Sequence, residues 1–207
     1  MKTCVIFCAG EFKELCRPVG ADELVIAADG GLAHLEEIGL RPDVILGDFD
    51  SLGYVPEGAQ VYPVKKDDTD SMLAIKKGLE LGCDRFYLYG ALDGKRVDHT
   101  MANFQALQYL AERGVRGWLI GNRQIVTAIH NDKVMFPPFC IQYLSVFCLG
   151  KDAKGVSIRG MEYEMEDQTL TSGFPLGVSN RFVQKKATVE VKDGTLLLIW
   201  HRKNGIL

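Results

Sequence analysis

The first 121 residues alternate between two textures. Short continuous apolar runs recur at Val5 to Phe7, Leu24 to Ala28, Val44 to Leu46, more weakly at Val61 to Val64, and again at Phe86 to Tyr89 and Trp118 to Ile120. Such runs suit strands of a parallel sheet covered on both faces. Between them the apolar residues fall at helical spacing: Leu32, Leu35 and Ile38; then Met72, Leu73, Ile75 and Leu79; then Met101, Phe104, Leu107, Leu110 and Ala111. A glycine follows each stripe, at Gly39, Gly82 and Gly114, where a helix closes on a left-handed residue. Strand and helix in alternation predict a doubly wound α/β domain over residues 1–122. From residue 123 to 207 the helical spacing disappears. Gln124 to Ile129, Ile141 to Phe147, Gly155 to Ile158, Thr188 to Val191 and Leu196 to Trp200 read as strands separated by Gly, Pro, Asn and Asp. That texture predicts a small antiparallel β domain, a sandwich or barrel.

Composition narrows the class. With 24 basic against 27 acidic residues among 207, the chain has a net charge of −3, which disfavours non-specific nucleic-acid binding, a process driven by basic charge. The apolar start ends at Gly10 and is followed at once by Glu11, Lys13 and Glu14, so it reads as a first buried strand rather than a signal peptide. No apolar run is long enough for a transmembrane helix, and no membrane partner is expected. The six cysteines form no C-x-x-C pair and lie mostly in apolar runs, which points to buried thiols in a reducing cytoplasm.

The candidate chemistry lies in the aspartates. Asp29, Asp48, Asp50, Asp67, Asp68, Asp70, Asp93 and Asp98 sit at or just after the ends of apolar strand runs, whereas Glu36, Glu37, Glu80 and Glu112 lie on helical stretches. Ligands of open α/β sheets bind at the carboxyl ends of the strands. Carboxylates gathered there repel one another unless a cation intervenes, and oxygen ligands suit Mg²⁺. Taken singly, each Asp is explained as a cap or turn former, Asp67 or Asp68 for the helix that follows. Taken together they describe a metal–phosphate site. In Ala28-Asp29-Gly30-Gly31 the glycines permit close backbone approach to an anion, although the G-x-G-x-x-G fingerprint is absent. In Gly47-Asp48-Phe49-Asp50-Ser51 two carboxylates two apart on an extended segment share one side, with Phe49 turned inward. In Lys66-Asp67-Asp68-Thr69-Asp70 the last aspartate falls in the first turn of a helix, and Lys65 and Lys66 either meet phosphate oxygens or are solvated.

ADGG (28–31), RPDVILGDFDS (41–51), KDDTDSMLA (66–74) and GKRVDHTMANFQAL (94–107), in this order and spacing, resemble the thiamine pyrophosphokinase family. The β domain is similar too, through Gly177-Val178-Ser179-Asn180, although Phe174-Pro175-Leu176 departs from the family pattern. The resemblance implies transfer of the pyrophosphoryl group of ATP to thiamine, with Mg²⁺ as cofactor. It implies a Rossmann-like catalytic domain, a β domain that binds thiamine, and a homodimer with the active site shared between subunits. By position, Asp48, Asp50, Asp67 and Asp70 match the metal and phosphate positions. Asp29, Gly30, Gly31, Lys66, Thr69, Arg96, His99 and Asn103 match the nucleotide side, and Ser179, Asn180 and Trp200 the thiamine side.

The residues suit that chemistry. Phosphoryl-type transfer needs positioning and charge neutralisation more than covalent help from the protein. Asp70 or Asp98 is a candidate to accept the proton of the thiamine hydroxyl. Arg96 either binds phosphate through its fork or pairs with Asp93 or Asp98. His99 is either a ligand contact or a capping or core residue. Asn103, one turn after His99, reads as orienting His99 or Asp98. A thiazolium favours an indole face, and Trp200, beside His201 and Arg202, is a better platform than Trp118. Two other functions fit part of the pattern: pyrophosphoryl transfer to a pterin alcohol, and a nucleotide- or thiamine-binding module without catalysis.

Overall fold

The structure, a computed structural model, describes residues 1–50 and 52–202. The chain divides into two compact units, Met1–Asn103 with Leu119–Asn122, and Phe104–Trp118 with Arg123–Leu207. The division passes through a helix and a strand rather than a linker.

The first unit is built on parallel strands in the order β5-β1-β2-β3-β4: β1 (Thr3–Phe7), β2 (Leu24–Ala28), β3 (Val44–Gly47), β4 (Gln60–Val61) and β5 (Arg85–Tyr89). β1 is flanked on both sides, Val5 lying opposite Val25 and Tyr87, and Ile6 opposite Ile26 and Leu88. Those central side chains are buried on both faces, which is why their sequences are continuous apolar runs. β4 is shorter than its apolar pattern suggests. Tyr62 still donates to Gly47 O at 2.9 Å, but Pro63 has no N–H to continue the ladder, and Val64 is 65% exposed.

Three helices match the three stripes: α1 (Gly31–Glu37), α2 (Asp70–Glu80) and α3 (Val97–Ala111). Gly39, Gly82 and Gly114 have φ of +67°, +81° and +70°, and the next residue's N–H returns to the carbonyl five residues back in each case, at 2.9–3.0 Å. All three are Schellman endings, as the glycine positions predict. Thr69, not Asp67 or Asp68, caps α2: its Oγ1 accepts the Met72 N–H at 3.2 Å. The division between the units falls within α3 and within β6 (Arg116–Ile120).

The second unit is antiparallel. β7 (Gln124–His130), β9 (Tyr143–Cys148), β12 (Gly177–Arg181) and β14 (Thr195–His201) pair in the order β12-β9-β14-β7. A four-stranded sheet runs β11 (Met165–Leu170), β10 (Ala153–Arg159), β13 (Ala187–Glu190), β8 (Lys133–Phe136). The chain is thus an α/β part with a parallel sheet followed by a β-rich part. The six cysteines are free thiols; Cys4, Cys8, Cys83 and Cys140 are buried, Cys16 and Cys148 half-buried. No described helix is long and apolar enough to cross a membrane.

Candidate active site

Because β1, β2, β3 and β5 are parallel, their carboxyl ends open on one edge of the first unit. A cleft of about 830 Å³ lies there, lined by Asp29, Asp48, Asp50, Asp70, Lys66 and Arg96 among others. Backbone geometry brings the carboxylates together. Asp29 follows β2 with φ +50°, and its N–H donates to Leu46 O at 2.8 Å. A Cβ on Gly47 would stand 3.0 Å from the Asp29 backbone, so the two strand ends approach this closely only with glycine there. Phe49 is left-handed too, at φ +58°, with its ring 2% exposed. The segment is therefore a turn around a buried ring, not the extended run read from the sequence, yet Asp48 and Asp50 still reach one place. One carboxylate oxygen each from Asp29, Asp48 and Asp50 lies within 4.8 Å of the others, a hard, all-oxygen donor set of the kind Mg²⁺ takes. Asp29, assigned by position to the nucleotide side, belongs to this group. Ser51, the end of the motif, lies outside the described residues.

Lys66 links this group to α2. Its Nζ donates to Asp48 Oδ2 at 2.6 Å and lies 3.0 Å from Asp70 Oδ1, the latter an ion pair outside hydrogen-bonding angles. The hydrogen bond from Lys66 holds the Asp48 carboxyl below its ordinary pKa. Burial pushes Asp70 up against the pull of Lys66. Burial also works against the charge on Lys66, but its two carboxylate partners outweigh it and raise its pKa. Asp68 pairs with Lys76 at 2.7 Å. Asp67, placed by the motif among the metal positions, is exposed and stands apart from the residues that line the cleft.

The start of α3 supplies a second wall. Arg96 and His99 are exposed and line the cleft. Arg96 pairs with Asp98, not Asp93, and Asp98 is held well ionised by it. Asp98 itself does not line the cleft, whereas Asp70 does. Asn103 is buried and orients neither His99 nor Asp98: its Oδ1 accepts from Ser71 Oγ and its Nδ2 donates to Ala91 O, both at 2.7 Å. It ties the start of α2 to the loop after β5. Ser71, inside the KDDTDSMLA motif, shares that role unnoticed in the sequence. Thr69 lines the cleft, with its Oγ1 accepting the Met72 N–H of the α2 cap and lying 3.0 Å from Ser71 Oγ. Gly31 is needed for packing, since a Cβ there would fall 1.9 Å from Phe7 O, and Gly30 is the N-cap of the seven-residue α1. His34 was also missed: its Nε2 lies 2.7 Å from Gly10 O in the cleft wall.

The thiamine-side residues belong to the second unit. Asn180 is buried and clasps the Tyr163 backbone, accepting its N–H at 3.0 Å and donating to its carbonyl at 2.6 Å. Ser179 is exposed, at φ +57°, with its N–H on Ser145 Oγ at 3.0 Å. Trp200 is only 2% exposed and packs edge-on against Phe136, with ring centroids 5.5 Å apart. The expectation of an open indole platform is corrected on this point: the ring is buried against Phe136, which lies on β8 of the four-stranded sheet.

Two family descriptions match the chain: "Thiamin pyrophosphokinase, catalytic domain" over residues 18–119 and "Thiamin pyrophosphokinase, vitamin B1 binding domain" over residues 129–196. The thiamine pyrophosphokinase of Bacillus subtilis strain 168 is 28% identical, with 85% of this chain and 86% of that protein covered. Among solved structures, the B. subtilis thiamine pyrophosphokinase superposes with a TM-score of 0.84 at 25% identity, covering 96% of this chain and 98% of that one. The Candida albicans thiamin pyrophosphokinase has the same fold, with a TM-score of 0.71 at 16% identity over 95% of this chain and 89% of that one.

Proposed function

The chain belongs to the thiamine pyrophosphokinase family, and from that membership we propose that the carboxylate cleft of its first unit is where ATP is bound and its pyrophosphoryl group transferred. The activity is that of a thiamine pyrophosphokinase, which makes thiamine diphosphate from ATP and thiamine and releases AMP. The observation that carries the site is the convergence of Asp29, Asp48 and Asp50 within 4.8 Å, with Lys66 bridging Asp48 to Asp70.

Asp29, Asp48 and Asp50 would hold Mg²⁺, which when bound neutralises phosphate charge and polarises the attacked phosphorus. Lys66 and Arg96 bring positive charge to the polyphosphate, with Asp98 orienting the Arg96 fork. His99 stands beside them at the cleft wall. Asp70 is the better proton acceptor for the thiamine hydroxyl. It lines the cleft, and burial raises its pKa, whereas Asp98 is exposed and paired. Of the three thiamine-side candidates Ser179 is the exposed one, on β12, where its N–H donates to Ser145 Oγ.

The parallel order β5-β1-β2-β3 supports a Rossmann-like reading of the first unit, with the site at the strand ends. We place the enzyme in the cytoplasm, where six free thiols stay reduced. We also propose a homodimer in which a second subunit completes the thiamine side. Phe139, Tyr163, Phe174 and Leu176 are exposed apolar residues of the second unit, side chains that burial against another copy would shield from water. The test is AMP release on mixing the protein with ATP, Mg²⁺ and thiamine. AMP with thiamine but not with a pterin alcohol is the expected result, and none with thiamine refutes the reading.

A further inference from the structure

Lys66 occupies an unusual place for a phosphate-binding lysine. Its side chain is 13% exposed and its ammonium sits between two carboxylates, those of Asp48 and Asp70. Asp48, 9% exposed, is also one of the three carboxylates that converge on the candidate cation position. Its Oδ2 accepts from Lys66 and its Oδ1 takes the Asp50 N–H at 3.4 Å. An ammonium and a divalent cation therefore compete for the same carboxylate, in a cleft where partial burial strengthens charge–charge interaction. Lys66 lies on residues 62–69, which form neither helix nor strand, so its release breaks no backbone ladder.

We propose that Lys66 is a resident counter-cation of the cleft. Its ammonium holds Asp48 and Asp70 together and disfavours a divalent cation arriving alone, until a nucleoside polyphosphate draws the ammonium to itself. The proposal rests on the cleft being the metal and nucleotide site. Metal and nucleotide then load together: a divalent ion alone has to displace Lys66, whereas a polyphosphate gives Lys66 a new anionic partner and frees Asp48. Coupling of this kind is reciprocal, so nucleotide tightens metal binding by the factor by which metal tightens nucleotide binding. Removing the Lys66 charge acts in opposite directions on the two equilibria. The metal alone binds more tightly, and the nucleotide gains less from it. A merely structural role for Lys66 would weaken both.

The experiment follows Mn²⁺ by loss of its free-ion electron paramagnetic resonance signal, with and without a non-hydrolysable ATP analogue, and counts as protein binding only the loss beyond that caused by the same analogue without protein. The proteins are the wild type, Lys66→Met, Lys66→Arg and Asp48→Asn, with Lys66→Gln as a second neutral variant if Lys66→Met does not fold. Without nucleotide, the neutral variant should bind Mn²⁺ about tenfold more tightly than the wild type, within the usual range of coupling between sites. Lys66→Arg should stay close to the wild type. The analogue should tighten Mn²⁺ binding strongly in the wild type and weakly in the neutral variant. Equal or weaker Mn²⁺ binding by the neutral variant without nucleotide, while the wild type still binds Mn²⁺ with the analogue, overturns the counter-cation role alone. No Mn²⁺ binding by the wild type even with the analogue, as with Asp48→Asn, overturns the cleft reading and the proposal with it.

Discussion

Asp48 and Asp50 flank a residue held in an uncomfortable conformation. A left-handed, buried Phe49 costs on the order of 1–3 kcal/mol, and it places both carboxylates in the cleft. Asp48→Asn or Asp50→Asn keeps that shape and removes one charge. Each substitution should leave circular dichroism unchanged and lower the rate of AMP release by about a hundredfold or more, because ion-mediated charge neutralisation contributes several kcal/mol. Near wild-type rates at saturating Mg²⁺ would remove both from the site. Trp200 belongs to the core instead. Trp200→Ala should cost about 3–5 kcal/mol, read from urea unfolding, while Trp200→Phe keeps thiamine turnover. Loss of turnover in a stable Trp200→Phe protein would restore a binding role to the indole. At this scale residue type was informative, since aspartates at strand ends announce their chemistry. Which ones converge was not legible. By motif position Asp67 is a metal candidate and Asp29 a nucleotide one, yet the φ of Asp29 and the missing Cβ of Gly47 draw Asp29 into the group, while Asp67 is exposed.

Elements meet in the first unit through glycine. α1 packs against the end of β1 so closely that Gly31 has no room for a methyl group, 1.9 Å from Phe7 O. Gly31→Ala should force α1 away from the sheet, lower stability by about 1–3 kcal/mol in urea unfolding and reduce activity through displacement of the neighbouring Asp29. An unchanged unfolding midpoint would show that α1 adapts freely. Elements of the first unit were readable because its strands are covered on both faces and its helices end in Schellman glycines. Three strands of the second unit were not. β8, β11 and β12 each lie at the edge of a sheet, paired on one side only. Met165 to Leu170 carries four consecutive polar residues and Gly177 to Arg181 three, so neither alternates, and an edge strand leaves such residues to one neighbour and solvent.

For the whole molecule the prediction is assembly. If exposed Phe174 and Leu176 lie in a two-fold interface, Phe174→Glu with Leu176→Glu should convert a particle of twice 23.0 kDa into one of 23.0 kDa by light scattering. Thiamine turnover should fall with it, while each chain keeps its fold. A monomeric wild type with full activity would rule out a shared site. The sequence by itself determined the family, the α/β-then-β order and the supply of aspartates, because strand and helix periodicity and motif spacing are local properties of the chain. Tertiary structure alone decided that Asp29 joins Asp48 and Asp50, that Lys66 bridges Asp48 and Asp70, that Asn103 is spent on Ser71 and Ala91, and that Trp200 is buried. Those outcomes depend on side chains up to 32 positions apart meeting at hydrogen-bonding distance, and on which face of a strand is packed against another sheet, as Trp200 is against Phe136. No local pattern encodes either.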